Sequence, residues 1–163
     1  MIYEDMEFVP ATEEHYGAIA SLIISPEELA LVCPTCRYPW DAEQLRAIAQ
    51  ERHALTVGLL NSEVVAFANL YDVEPNKAAF IGHVIVGHSA RGKGVGQGLI
   101  RHMIDICHQQ YHAIPHLSVL NLNTPALLLY TKLGFRPYEV ERRVSQKGEP
   151  FALIHMSQSP IVM

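Results

Sequence analysis

Long apolar runs are missing from this chain: those such as Ile19 to Ile24 and Leu117 to Leu122 are broken by Ser21 and by Ser118 and Asn121. Both fall far short of the roughly 20 residues that a membrane span needs, so no transmembrane helix is expected. Basic residues are scarce, with Lys and Arg numbering 12 against 17 Asp and Glu, for a net charge of -5. Duplex binding leans on a basic surface, so a nucleic-acid partner is not expected, while a mildly acidic surface would favour a cationic amine. Cysteine is also sparse. Three residues, an odd number, argue against a disulfide framework and suit a reducing compartment. Cys33 and Cys36 form a C-x-x-C pair, which could be a redox couple or half of a zinc site, but no second pair or suitably spaced histidine pair follows, so two ordinary thiols beside Pro34 are expected and no metal. His108 and His112 share a helix face, yet Gln109 stands where a zinc motif has Glu. A basic, apolar leader is lacking too: the chain begins Met-Ile-Tyr-Glu-Asp, and a cytoplasmic location is the default.

What remains is enough for one compact domain over residues 1–163, because 49% of the 163 residues are apolar. Residues 6 to 10 read as a strand, and Thr12 before Glu13 and Glu14 opens a helix to about Ile24. Ser25-Pro26 starts a second helical piece, Pro34 to Pro39 is irregular, and Asp41 begins a third helix to about Arg52. The period then changes. Ala54 to Leu60, Glu63 to Tyr71 and Ala78 to Val86 are strand-like runs joined by short turns, which makes an antiparallel meander. Apolar residues at 95, 99, 103 and 106 lay one helix face on a sheet. His116 to Leu122 is a fifth strand, Thr124-Pro125 caps a helix ended by Gly134, and Phe135 to Val144 pairs with Pro150 to Met156. Such an order gives an α/β (α+β) fold with a central mixed, mostly antiparallel sheet flanked by helices on both faces.

The densest signal is Val86-Gly-His-Ser-Ala-Arg91-Gly92-Lys93-Gly94-Val95-Gly96, where a strand ends and a helix begins. Alternating glycines there leave backbone N-H groups uncovered and can cradle an anion at the positive end of the helix. Two phosphate motifs fail. A P-loop spacing from Gly87 meets Gly94 where Ser or Thr should hold magnesium, and a G-x-G-x-x-G frame meets Gln97 or Leu99 in its third glycine place. About 30 residues on, Asn123-Thr-Pro-Ala126-Leu-Leu-Leu129-Tyr130-Thr-Lys132-Leu133-Gly134-Phe135 places Ala126, Leu129, Tyr130 and Leu133 on one helix stripe, as a core tyrosine would also require.

Arg91, Gly94 and Gly96 occupy the fixed places of the R/Q-x-x-G-x-G/A motif, and residues 123 to 135 are similar to N-x-x-A-x-x-L-Y-x-K-L-G-F. Together, in this order, they resemble the GNAT superfamily of acetyl-CoA-dependent N-acetyltransferases over nearly the whole chain. The resemblance implies that Arg91, Gly92, Lys93, Gly94, Val95 and Gly96 bind the coenzyme pyrophosphate through backbone amides. It further implies that backbone near Ile85 and Val86 holds the pantetheine arm, with Asn123 and Lys132 as coenzyme contacts. Tyr130 then serves as general acid toward the departing thiolate, and an amine of a small molecule or peptide attacks the thioester directly in a ternary complex. A neutral amine needs a base. His83 is the only ionisable residue within its strand, and Asp72 and Glu74 stand as substitutes. Arg37, Tyr38 and Trp40 are expected either to wall the acceptor pocket or to cap the core. Acetyl-CoA is the implied cosubstrate, and the resemblance leaves room for a homodimer, for another acyl-CoA and for a module that binds coenzyme without transfer.

Overall fold

The computed structural model describes residues 6–145 and 147–158. Strand β1, Met6–Pro10, is followed by a 3-10 turn at Glu13–His15 and by three short helices, α1 Tyr16–Ala20, α2 Pro26–Val32 and α3 Ala42–Glu51. The meander β2 His53–Leu60, β3 Glu63–Glu74 and β4 Ala78–Val86 leads through a 3-10 turn, His88–Ala90, into the long helix α4, Val95–Tyr111. Strand β5 Ile114–Leu120, helix α5 Thr124–Lys132, and strands β6 Phe135–Val144 and β7 Pro150–Gln158 follow among the described residues.

Local chemistry explains the helix starts. Ser25 accepts from the Glu28 amide at 3.1 Å and Asp41 from the Gln44 amide at 2.9 Å, each relieving a first-turn donor. The expected cap of α5 moves by one residue: Asn123 is the N-cap and Pro125 lies within the first turn. The first expected helix is shorter than its apolar pattern suggested, because after Ala20 the chain turns through Ser21 and Leu22 toward the Ser25 cap. On α4 the buried stripe ends on Cys107, with Ile106 only partly buried. The expectation of two free thiols is corrected: Cys33 and Cys36 form a disulfide, their Cα atoms 5.3 Å apart across the turn that ends α2.

Seven strands form one sheet in the order β1-β2-β3-β4-β5-β7-β6. All neighbours are antiparallel except β4 and β5. Helices cover both faces unequally. One core joins α4 and α5 to strands on both sides of the β4/β5 line, through Leu70, Ile81, Leu99, Met103, Leu117, Phe135 and Met156. The other packs α1, α2 and α3 onto the first four strands only, around Ile19, Leu45, Val57, Phe67 and Ile85. Among the described residues, no helix is long and apolar enough to cross a membrane.

Candidate active site

Pairing between β4 and β5 stops at Ile81 and Leu117. Beyond it β4 continues through Gly82 to Val86 bonded only to β3, and β5 continues through Ser118 to Leu120 bonded only to β7. The sheet is therefore split at its middle, with backbone polar groups lining the gap. A bulge sits at the mouth of this split: Phe67 to Asn69 spans two steps while the partner Ile85 to Gly82 spans three, and His83 adopts φ +47°. The extra residue reverses the side-chain alternation. Ala79 and Ile81 belong to the α4 core, whereas Ile85 belongs to the opposite one and His83 meets Trp40 edge-on at 6.4 Å.

The glycine turn follows directly. Gly92 and Gly94 have φ +74° and +84°, conformations that ordinary side chains rarely adopt, and Gly94 opens the 17-residue α4 without a side-chain cap. The first-turn amides of α4, including those of Val95 and Gly96, have no intrahelical acceptor and face the positive end of the helix dipole. A Cβ on Gly96 would stand 3.4 Å from Leu129 and 3.5 Å from Val86, so α5 passes close beside this turn. Arg91 donates to the Val86 carbonyl at 2.9 Å and pairs at 3.6 Å with Glu28, which also binds His88. The Glu28 carboxyl is held below its ordinary range: burial opposes the shift, and the Ile24 amide, His88 and Arg91 outweigh it. Helix α2 is thereby tied to the turn. Lys93 is exposed and donates to the Ser89 carbonyl, Asn123 caps α5, and Lys132 is exposed at the far end of that helix.

Tyr130 projects from α5 into the core, 6% exposed and edge-on to Phe135 at 6.1 Å. Burial first, and then the nearby Tyr71 phenol, push its pKa up, so the phenol keeps its proton at neutral pH. Tyr71 approaches from the opposite face of the sheet. Its ring crosses β4 at Gly82, where a Cβ would fall 2.7 Å from Cε1 of Tyr71 and 2.5 Å from Nη1 of Arg52. The phenol also has a raised pKa from burial, drawn back by the Ser118 hydroxyl beside it on β5.

His83 is poorly built for the part of base. Asn69 accepts from Arg52 through Oδ1 at 2.9 Å, which turns its amide donor toward Nδ1 of His83 at 2.9 Å. The imidazole is thus an acceptor at Nδ1 and carries its proton on Nε2. Burial, with the Arg52 charge behind it, lowers its pKa to about 3. Asp72 and Glu74 are exposed near the start of β4. Asp72 follows the Tyr71–Phe80 pair, roughly 20 Å from Val86 along a strand rising about 3.3 Å per residue. Trp40 is buried within the α1–α3 core, whereas Arg37 and Tyr38 are exposed.

The polar groups that the sequence reading missed lie on β5, β7 and β6, on the face that α1, α2 and α3 leave open. Ser118 lies 2.6 Å from Nδ1 of His155, and Nε2 of His155 lies 2.5 Å from the Glu141 carboxylate. Glu139 stands beside them, the three ligand-type groups of Glu139, Glu141 and His155 falling within 4.8 Å of one another. His116 lies against Phe80, ring centroids 4.8 Å apart and tilted by 35°, and meets the Tyr138 hydroxyl at 3.0 Å. The available signal was a polar residue interrupting an apolar strand: Ser118 between Leu117 and Val119, and His155 between Ile154 and Met156.

Comparison with known proteins converges on this architecture. The chain is 31% identical over 87 residues to the streptothricin acetyltransferase of Streptomyces lavendulae, a stretch covering 53% of this chain and 46% of that protein. The chain thus spans about half the length of the curated relative it matches. Its fold is similar to a GCN5-related N-acetyltransferase from Kribbella flavida, with TM-score 0.76, 23% identity, and 97% and 99% of the two chains covered. It is also similar to a ribosomal-protein-alanine N-acetyltransferase from Brucella melitensis, with TM-score 0.75, 19% identity, and 94% and 99% covered. An acetyl-CoA-bound GNAT acetyltransferase from Elizabethkingia anophelis matches with TM-score 0.69, 18% identity, and 96% and 99% covered. The model of the acetyltransferase (GNAT) family matches residues 26–135, which hold the split sheet, the glycine turn and the tyrosine helix, and the chain belongs to that family.

Proposed function

We propose that this protein transfers the acetyl group of acetyl-CoA to a primary amine of a small molecule or peptide, by direct attack within a ternary complex. The observation that supports the reading is the split between β4 and β5, which opens beside the glycine turn at the head of α4 and over the core in which Tyr130 is buried. The chain's own groups suit this cosubstrate. First-turn amides of α4 would receive pyrophosphate, the amides of the arm would take the place of the missing β5 partner for β4 backbone near Ile85 and Val86, and Asn123, the cap of α5, would contact the arm. Acetyl-CoA supplies the activated thioester. Tyr130, protonated at neutral pH, donates its phenol proton to the departing sulfur, a contribution of about 10² to 10⁴ in rate. The amine enters from the open face, where Glu139 and Glu141 favour a cationic acceptor.

Thiol release from acetyl-CoA, measured with a panel of polyamines, streptothricin and peptides with free N-termini, tests the reading. At least one amine should accelerate release, and Tyr130→Phe should lose one to four powers of ten in turnover while still binding acetyl-CoA. Full activity in Tyr130→Phe would remove the acid from the scheme. Binding of acetyl-CoA with no transfer to any amine would favour a coenzyme-binding module.

A further inference from the structure

Attack on the thioester requires an amine that has lost its proton, and the strand before the glycine turn offers only His83 for the task. We propose that the proton leaves through Tyr71 on β3 and Ser118 to His155, which Glu141 holds, onto the open face of β5, β7 and β6. This rests on the acetyl-transfer reading above and identifies the group that activates its acceptor.

The directions of the hydrogen bonds are set from the far end. Glu141 can only accept, so His155 donates from Nε2, and its Nδ1 is left as an acceptor. Arg143 holds the same carboxylate at 2.9 Å and keeps it charged. Ser118 therefore donates to Nδ1, and its oxygen retains lone pairs for the Tyr71 hydroxyl beside it. Tyr71 in turn sits near Tyr130 across the split.

The transfer balances. The ammonium gives a proton to the Tyr71 oxygen as Tyr71 passes its own to Ser118, and Ser118 passes its own to Nδ1 of His155. The result is an imidazolium opposite the Glu141 carboxylate, with the amine lone pair free to attack and Tyr71 and Ser118 unchanged. His155 is faced by Ser118 and His116 from β5 and by Tyr138, Glu139 and Glu141 from β6. Burial keeps His116 below the usual imidazole range, and Glu139 and Glu141 are the carboxylates grouped with the His155 ring, Glu141 shared with Arg143. Gly82 completes the arrangement, since any side chain there would push Tyr71 off β4.

The test compares wild type with Ser118→Ala, His155→Gln and Tyr71→Phe, using the best primary alkylamine of the panel and, separately, hydroxylamine, which is already neutral at the assay pH. Ser118→Ala is small enough to spare the fold. Near neutral pH each variant should lose about 10²-fold in kcat/KM for the alkylamine, with acetyl-CoA affinity unchanged. The loss should shrink as pH rises toward the amine's own ionisation, and it should be absent with hydroxylamine. The double variant of Ser118 and His155 should be no worse than the poorer single one, because the two act as a unit. A loss equal at every pH and with both nucleophiles would overturn the relay, as would an acetyl group trapped on Ser118. Nitrogen NMR of the neutral His155 ring gives a readout without turnover: an Nε2 proton is expected, and an Nδ1 proton overturns the relay. Failure of the underlying reading differs, since wild type itself would then release no thiol with any amine, and that result sinks both.

Discussion

His83 stays neutral because three things oppose its proton: burial, the Arg52 charge behind Asn69, and the Asn69 amide donor already on Nδ1. Its pKa falls from an ordinary 6.5 to about 3 in the folded chain, so below pH 6.5 the unfolded chain binds a proton that the folded one refuses. Stability from this residue is complete above pH 6.5 and drains away as pH falls toward 3, by on the order of 3 kcal/mol at pH 4. His83→Asn keeps a residue tolerant of φ +47° but removes the titration. Its melting temperature should fall less than that of wild type between pH 7 and pH 4, while the other depressed acids, Glu28, Asp41 and Glu141, stay common to both. Parallel acid limbs in the two proteins would show that His83 is protonated without penalty. The residue was visible in the sequence as the one ionisable group on β4; its surroundings were not, since they depend on a bulge and on Arg52 and Asn69 from other elements. Ser118, His155 and Glu141 were less legible still, because β7 lies between β5 and β6 and chain order gives no hint of that adjacency.

At the scale of elements, contiguous features were the readable ones. The glycine turn with α4, and the capped α5 with Tyr130, each carry their chemistry within about a dozen consecutive residues, so strand end, turn and helix start could be placed directly. The glycines of that turn nevertheless differ in purpose. Gly94 is required for its left-handed backbone at the head of α4, whereas a methyl group on Gly96 would make only ordinary contacts with Leu129 and Val86. A left-handed conformation costs an ordinary residue roughly 1 to 2 kcal/mol. Gly94→Ala should therefore shift the turn away from the geometry that presents its amides and weaken acetyl-CoA about tenfold, while Gly96→Ala stays within a few-fold of wild type. Calorimetric titration with acetyl-CoA distinguishes them. Equal affinity in both variants would mean that the turn's conformation does not govern the anion site.

For the whole molecule the central question is how a sheet can be open at its middle and still be one body. The α4 and α5 core answers it, since its buried residues come from β3 and β4 on one side of the split and from β5, β6 and β7 on the other, with Met103 and Leu99 among them. Among the described residues the opposite face has no such bridge, because the α1–α3 core stops at β4. One face therefore holds the halves at a fixed separation, and the other leaves the gap uncovered by the α1–α3 core. An opening of this kind carries a cost in unpaired backbone groups, which water meets in the free protein and a ligand amide would meet in the complex. In residue-resolved hydrogen exchange, amides of Gly82 to Val86 and Ser118 to Leu120 that point into the gap should exchange faster than their neighbours on the same strands, which bond to β3 or β7. Acetyl-CoA should slow those gap-facing amides together with the first-turn amides of α4, and at 100 times its dissociation constant should add about 2.7 kcal/mol to global stability. Protection of the first-turn amides of α4 without any change along β4 and β5 would place the coenzyme on the surface of the turn rather than through the split. Uniform slowing of every amide, with no excess in the gap, would report stabilisation alone and remove the split from the binding site.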